Sequence, residues 1–407
     1  MRNIFFSLFI FLSTCSLAQN IDYAHYIVNT LSSETFKGRG FVNKGDKIAA
    51  RFIKKQLDSF GIDNKFQYFP ITVNTYPKKL FLSIDKKELI PGKDFLIDMH
   101  SGSINGSFSI KTIKLSSLPE NLNTTKKTFI LLINDIFDKK VVAKLYKKIY
   151  AKNIFNAAGY IFIEDNLINE PAVSSVNYVI VKIKKKVINL PATTIKIKAK
   201  NKLLKNYRTQ NIWGLIQGKT DTLIVFSAHY DHLGKMGKRA TFYGANDNAS
   251  GVAMVLDLAN YFSQHKPYYS MAFIFFSGEE EGLLGSFYFV EHPIINLQKI
   301  KFLFNLDMVG TGQDGIQIVN STVFHREMAL LETINNENHY LQKIKKRGPA
   351  ANSDHYPFYN KGVPSFFIYT LGGSRQYHNI FDKADQLSLF AFENMEKMLI
   401  DFVKAYK

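Results

Sequence analysis

Between Phe226 and Gly310 the chain reads, in turn, FSAHYDHLG, GANDNASG, FFSGEEEGLLGS and NLDMVG. His229 with Asp231, then Asp247, then Glu279 with Glu280, then Asp307 are side chains that bind metals. Imidazole nitrogen and carboxylate oxygen are donors that Zn²⁺ takes readily, and catalytic zinc sites leave a position open for water. Three of these stations follow apolar runs, Leu223–Ala228, Met271–Phe276 and Phe302–Leu306. Runs of that length and composition fit strands buried on both faces. Asp247 precedes Ala249–Phe262, whose apolar residues fall at helical spacing. In open α/β sheets, sites form where neighbouring strands reach their carboxyl ends. The pattern therefore describes a metal site and not a core. Electrostatics leads to the same place. Asp247, Glu279, Glu280 and Asp307 crowded into one cleft repel one another unless cations compensate them, because uncompensated buried charge is expensive. The other common protease signatures, H-E-x-x-H and G-x-S-x-G, are absent.

Further along, SDHYPF (Ser353–Phe358), GVPSFF (Gly362–Phe367) and YHNIFDKAD (Tyr377–Asp385) follow in order. Together with the first four motifs they resemble the M28 family of zinc peptidases, across 209–407. The resemblance implies five metal ligands, His229, Asp247, Glu280, Asp307 and His378, with Glu279 as general base. It implies two Zn²⁺, with other divalent metals as substitutes, and Asp247 shared between them. One ion then has His229 and Asp307, the other Glu280 and His378. Adjacent residues of an extended stretch point apart, so Glu280 can hold metal while Glu279 takes the proton of a metal-activated water and passes it to the leaving amine. Asp231, two residues past His229, is a candidate acceptor for the imidazole N–H. Tyr377 is a candidate for the substrate pocket, or a packed aromatic. Glu281 reads as a solvated charge at a helix start. Asp382 suits a loop-fixing hydrogen bond, and Asn248 and Ser250 suit helix capping.

The activity implied is that of a secreted two-zinc exopeptidase, an aminopeptidase acting on peptides or proteins. A carboxypeptidase or dipeptidase, a glutaminyl cyclase-like acyl transferase with one zinc, and a receptor-like ectodomain remain as alternatives. The last two fit poorly with a full set of ligand positions and a retained Glu279.

The elements that position these residues can be read along the chain. Residues 1–18 have the form of a secretory signal peptide: Arg2, an apolar run Ile4–Leu12 and Ser16-Leu17-Ala18 as a small-residue cleavage site. The run is too short to span a bilayer, and no other segment is apolar enough. The protein is expected to be secreted or periplasmic. The only cysteine, Cys15, lies inside this segment, so the mature chain holds no disulfide. Cys15 is also a lipidation candidate, against which Thr14 argues.

Residues 19–65 read as two helices flanking FKGRGFVNKGD, part of the catalytic domain. Residues 66–208 read as an inserted smaller α+β or β-rich domain that loosely resembles a protease-associated domain. Residues 209–407 read as the catalytic domain, a three-layer α/β/α sandwich with a mixed, mostly parallel central sheet. NIWGLIQG and DTLIVFSAH flank a hairpin-like GKTD turn. The insert holds 25 Lys and Arg against 10 Asp and Glu, so it carries +15 of the chain's +18. That excess is expected to lie apart from the catalytic cleft, and to attract acidic surfaces if it attracts anything. The stretch KIKKK has no interleaved aromatics, which argues against nucleic-acid binding.

Overall fold

The computed structural model describes residues 21–119, 122, 124–136 and 138–406. The leader-like segment and Cys15 lie outside the described residues.

Apolar strands of the predicted kind build one eight-stranded sheet. Its members are β1 (Asp63–Thr75), β10 (Lys202–Ile216), β11 (Thr220–His229), β14 (Tyr269–Phe276), β15 (Ile300–Leu306), β16 (Ile316–Val319), β17 (Ile344–Lys346) and β18 (Ser365–Thr370). In space the order is β1-β10-β14-β11-β15-β18-β16-β17. The centre, β14-β11-β15-β18, is parallel, whereas β10 runs antiparallel to β14 and β16 antiparallel to β18. Alternate residues of the central strands enter opposite layers, as the two-residue period of a strand requires. Ile224, Phe226, Phe273 and Phe275 pack with the helices α1 (Ile21–Leu31), α2 (Gly45–Ser59), α4 (Ser250–Gln264), α6 (His325–Asn338) and α8 (Phe392–Ala405). Val225, Ala272, Ile274 and Leu303 pack on the other face with α5 (Leu284–Glu291) and α7 (His355–Asn360). This is the expected three-layer α/β/α sandwich.

A second eight-stranded sheet lies between β1 and β10 in sequence. Its strands are β2 (Phe81–Ile84), β3 (Lys87–Glu88), β4 (Phe95–Ile97), β5 (Ile104–Lys114), β6 (Thr128–Ile133), β7 (Gly159–Glu164), β8 (Val179–Lys184) and β9 (Thr194–Ala199). Helix α3 (Lys139–Ala151) covers it through Val142 and Ile149. A short ribbon, β12 (Lys235–Met236) with β13 (Ala240–Thr241), joins its core through Met236, Ala240 and Phe242.

Three expectations need correction. The insert does not run from 66 to 208, because β1 and β10 pair from Asp63↔Leu215 to Thr75↔Lys202 and belong to the first sheet. The insert is thus 76–201. The GKTD turn joins no hairpin, since β14 lies between β10 and β11. The basic insert does not stand clear of the cleft: the Asn169 N–H donates to the His378 carbonyl at 3.0 Å, and Glu170 Oε1 lies 3.5 Å from His378 Nδ1.

The α4–α8 contact carries an unusual load. Glu396 on α8 is fully buried, and neither carboxyl oxygen has a hydrogen-bond partner. Burial, then Asp257 on α4 and Glu393 on α8, push it up to about 9, with Lys397 opposing. Burial and Glu393 likewise raise Asp257 to about 7. A carboxyl held neutral in the fold stabilises it at low pH, and that stability is lost as pH rises from the unfolded value toward the folded one. The melting temperature is therefore expected to fall between about pH 5 and pH 9, and Glu396→Gln to flatten that fall. An unchanged slope in thermal melts of the variant would exclude this source.

Candidate active site

The site is assembled at the carboxyl ends of the parallel strands. His229 is the last residue of β11, Glu279 and Glu280 follow β14 after Ser277-Gly278, and Asp307 immediately follows β15. The register sets His229 beside Phe276 and Ser227 beside Asn305, so the three ends are level. Asp247 comes from the turn Ala245–Ala249 that leads into α4, and His378 from the loop after β18. The Asp247–Asn248 peptide is cis. Each side chain is largely withdrawn from solvent, with Glu279 the most open at 13%.

Distances show how the six converge. Asp247 Oδ1 lies 3.4 Å from His229 Nε2, and its Oδ2 lies 3.2 Å from His378 Nε2. Asp307 Oδ1 is 3.3 Å from His229 Nε2, and Glu279 Oε2 is 4.0 Å from it. Glu280 Oε2 is 2.9 Å from His378 Nε2. Two groups bring their donor atoms within 4.8 Å of one another: His229, Glu279 and Asp307, and His229, Asp247 and Glu280. Ligand atoms at about 2.0–2.2 Å from one tetrahedral zinc lie about 3.3 Å apart, and the spacings here fall around that value. The donor set, nitrogen and carboxylate oxygen in a buried cleft, fits zinc.

The supporting contacts come from backbone N–H groups, neutral side chains and two further carboxylates. The Asp382 carboxylate accepts the N–H of Asn246 at 3.0 and 3.1 Å and that of Asp247 at 3.0 Å. Asn248 Oδ1 accepts from Gly251 N–H at 2.8 Å and Met308 N–H at 3.2 Å, tying α4 to the turn after β15. Ser250 caps nothing. It donates to the Asn246 carbonyl and accepts from Val309 N–H. Ser353 Oγ donates to Asp307 Oδ2 at 2.9 Å. Asp231 is fully buried, yet its backbone carbonyl lies closer to His229 Nδ1 (3.3 Å) than its carboxylate does (3.8 Å). That carboxylate instead accepts the Glu279 N–H at 3.3 Å. Tyr377 stacks on His378 with ring centroids 3.8 Å apart and is 43% exposed, at the rim of the cleft.

Electrostatics divides the adjacent glutamates. Burial and Asp247 push Glu280 up, but His378 and His232 overcome them and hold it down at about 2. Burial drives Glu279 well above the usual carboxyl range; Asp354, Asp307 and Glu280 add to this and His229 opposes it. Asp247, which burial alone would raise, is held well below its ordinary value by His232, His229 and His378.

Three further residues were left without a role or misplaced from sequence. His232 is fully buried, with Nδ1 2.5 Å from Glu280 Oε1; its position three past His229 carries no periodic signal. Arg39 is fully buried below the Asp247 turn, where FKGRG suggested only a link. Glu281 is not a solvated charge, because its Oε2 is buried without a partner and burial, with Asp231 and Glu280 near, raises it well above the carboxyl range. The reason is local: Glu279 O accepts from Gly282 and Leu283 in a tight turn, and α5 begins only at Leu284.

Comparison with known proteins places this architecture. Over 95% of the chain superposes on 94% of a zinc aminopeptidase from Bacillus subtilis with a TM-score of 0.72 at 21% identity. A glutaminyl cyclase of Porphyromonas gingivalis superposes over 95% of this chain and 99% of its own at a TM-score of 0.53 and 14% identity. At such identities these likenesses speak for the fold alone. Residues 211–403, just under half of the chain, match the profile of Peptidase family M28. A vacuolar membrane protease of Candida glabrata is 30% identical over 179 residues, 44% of this chain and 16% of its own length. The aminopeptidase YwaD of Bacillus subtilis is 28% identical over 188 residues, 42% of this chain and 37% of its own. The chain therefore spans well under half the length of these relatives.

The Asp382 clamp yields a test. Replacing an outer partner of a metal ligand typically costs about 10–100-fold in metal affinity. Asp382→Ala is expected to weaken zinc binding by that factor in chelator competition; wild-type affinity would show that the turn holds its shape unaided.

Proposed function

We propose that this protein is a two-zinc exopeptidase, an aminopeptidase that hydrolyses the first peptide bond of its substrates. The observation that carries the reading is Asp247, whose two oxygens face two different histidines at 3.4 and 3.2 Å. A carboxylate so placed suits a bridge between two ions. His229, Asp307 and Asp247 would hold one, and Glu280, His378 and Asp247 the other. When bound, the ions would acidify a water and polarise the scissile carbonyl.

Glu279 is the base in this reading. Enzymes assign acid–base roles by pushing the affinities of neighbouring carboxyls apart, and Glu279 is driven up while Glu280 is driven down to about 2. The first can take a proton from water and return it to the leaving amine; the second stays an anion suited to a cation. Asp231 acts through Glu279, whose backbone it holds. Substrate would enter a cavity of about 190 Å³ lined by Met308, Asn352, Phe367, Tyr369 and Tyr377 beside the six site residues. Its size suits one terminal side chain, and Tyr377 would pack against it at the rim.

Export from the cytoplasm is part of the proposal and rests on the leader-like pattern of residues 1–18. Among the described residues no helix is long and apolar enough to cross a membrane.

Elemental analysis should find two zinc ions per chain, and unblocked aminoacyl-p-nitroanilides should be cleaved while N-blocked peptides are not. One ion per chain, with cyclisation of N-terminal glutamine in place of hydrolysis, would overturn the reading. Glu279→Gln is expected to keep zinc while kcat falls about 10²–10⁴-fold. Glu280→Gln should lose zinc as well as rate. The opposite pairing of outcomes would exchange the two roles.

A further inference from the structure

The metal site is floored by a segment far from it in sequence. Residues Lys37, Gly38 and Arg39 stand consecutively in the left-handed region, at φ 54°, 62° and 52°. Non-glycine residues occupy that region when their surroundings hold them there, and such backbone gathers at functional sites. Here the surroundings are specific. Gly38 O accepts from Gly234 N–H at 3.0 Å, and a Cβ on Gly38 would meet the carbonyls of Phe242 and Gly234. A Cβ on Gly40 would meet the backbone of Gly234. The FKGRG segment thus lies flat against the loops that follow β11 and precede α4, and only glycine permits that approach.

Between those glycines the Arg39 side chain turns inward, fully buried. Its Nε donates to the Tyr230 carbonyl at 2.8 Å. Nη1 donates to Leu31 at 3.0 Å and Tyr243 at 2.7 Å, and Nη2 to Gly244 at 2.7 Å and Asp247 at 3.1 Å, all through carbonyl oxygens. A guanidinium has five N–H donors, and all five are spent on backbone. None goes to a carboxylate, so the positive charge is not consumed by a single ion pair. It faces Asp247, Asp382, Asp231 and Glu280 together. Gly244, at φ 60°, leaves the room: a Cβ there would lie 2.5 Å from Arg39 Nη2.

We propose that Arg39 is a positioning residue for the metal site, a buried cation whose five hydrogen bonds fix the backbone of both metal-bearing loops. Tyr230 lies between His229 and Asp231, and Asp247 is the shared ligand, so one rigid fork sets the separation of the two. Its charge also offsets part of the carboxylate repulsion before any ion binds. Lysine cannot replace it, because an ammonium has three donors on a flexible stem and no fork.

The inference rests on the two-zinc reading, and the experiment separates the two. Zinc affinity and stoichiometry are measured by chelator competition on the wild type, on Arg39→Lys, and on Leu57→Ala, a core truncation in α2 matched for lost stability. Wild type without zinc would overturn the metal reading itself. With wild type binding zinc, Arg39→Lys is expected to bind it about 10–100-fold more weakly, with kcat lowered and KM little changed. Leu57→Ala should melt earlier yet bind zinc as the wild type does. An Arg39→Lys protein that merely melts earlier and keeps full zinc affinity would overturn the proposal.

Should that variant not fold, hydrogen exchange on the wild type decides. Coupling between sites is reciprocal, so zinc should slow exchange in 38–40 together with 243–247. Slowing confined to 243–247 would overturn it equally.

Discussion

The structure depends on keeping acidic side chains together out of water. Asp231, Asp247, Asp307 and Asp382 are each at most 8% exposed, and Glu279 and Glu280 point into the same cleft. Like charges at these separations repel strongly once solvent is excluded. The protein answers with three kinds of positive potential. Backbone N–H groups point at Asp382 and Asp231, imidazoles face Asp247 and Glu280, and a guanidinium lies beneath. What those leave uncompensated is an affinity for cations. The rest of the architecture can be understood as the scaffold that prevents these groups from relaxing apart.

A parallel sheet suits that task. Its central strands are buried on both faces, and the aromatic contacts of Phe226 with Phe273 and Phe304 lock β11 between its neighbours. Interiors packed to crystal-like density transmit strain and resist displacement. His229, Glu279, Glu280 and Asp307 therefore start from strand ends that cannot drift. The two ligand-type residues outside the sheet, Asp247 and His378, lie on loops and receive dedicated clamps, Asp382 and Arg39 for the first and the insert's Asn169 for the second.

This division explains what could be read from the sequence. Strand-end residues were legible because an apolar run and the side chain that terminates it are adjacent in the chain. The helices were legible from their spacing, and the sandwich follows from both. Residues that act across distance left no local trace. Arg39 reaches carbonyls some 190–210 positions away, and nothing in FKGRG announces that. The β1–β10 pairing failed for the same reason: Phe66 lies opposite Ile212, and a strand's local pattern does not name its partner. β10 was cut short because Lys202, Lys205 and Arg208 continue the insert's basic bias, whereas β1, with only Asp63 and Lys65 charged, carries no mark of its sheet. The GKTD turn misled because proximity in sequence favours a hairpin, whereas β14 takes the place between the two strands.

The long β1–β10 pair also gives the insert a mechanical meaning. A domain threaded through a flexible linker could wander, but this one leaves and re-enters along two paired strands that belong to the catalytic sheet. Its position over the cleft is thereby fixed at the root, and Tyr76 pairing toward Met236 continues the contact into the loop after β11. At the far side, Asn169 N–H holds the His378 carbonyl, and Glu170 stands 3.5 Å from the ring nitrogen that faces away from Asp247. Carboxylates in that position orient metal-binding imidazoles and raise their basicity. The insert thus touches one of the two site residues that lie on loops outside the sheet. Its net charge of +12 over 76–201, from 22 Lys against 10 Asp and Glu, is a property of its surface, while its hold on His378 comes from a backbone amide and a single acidic side chain. The two need not serve the same end.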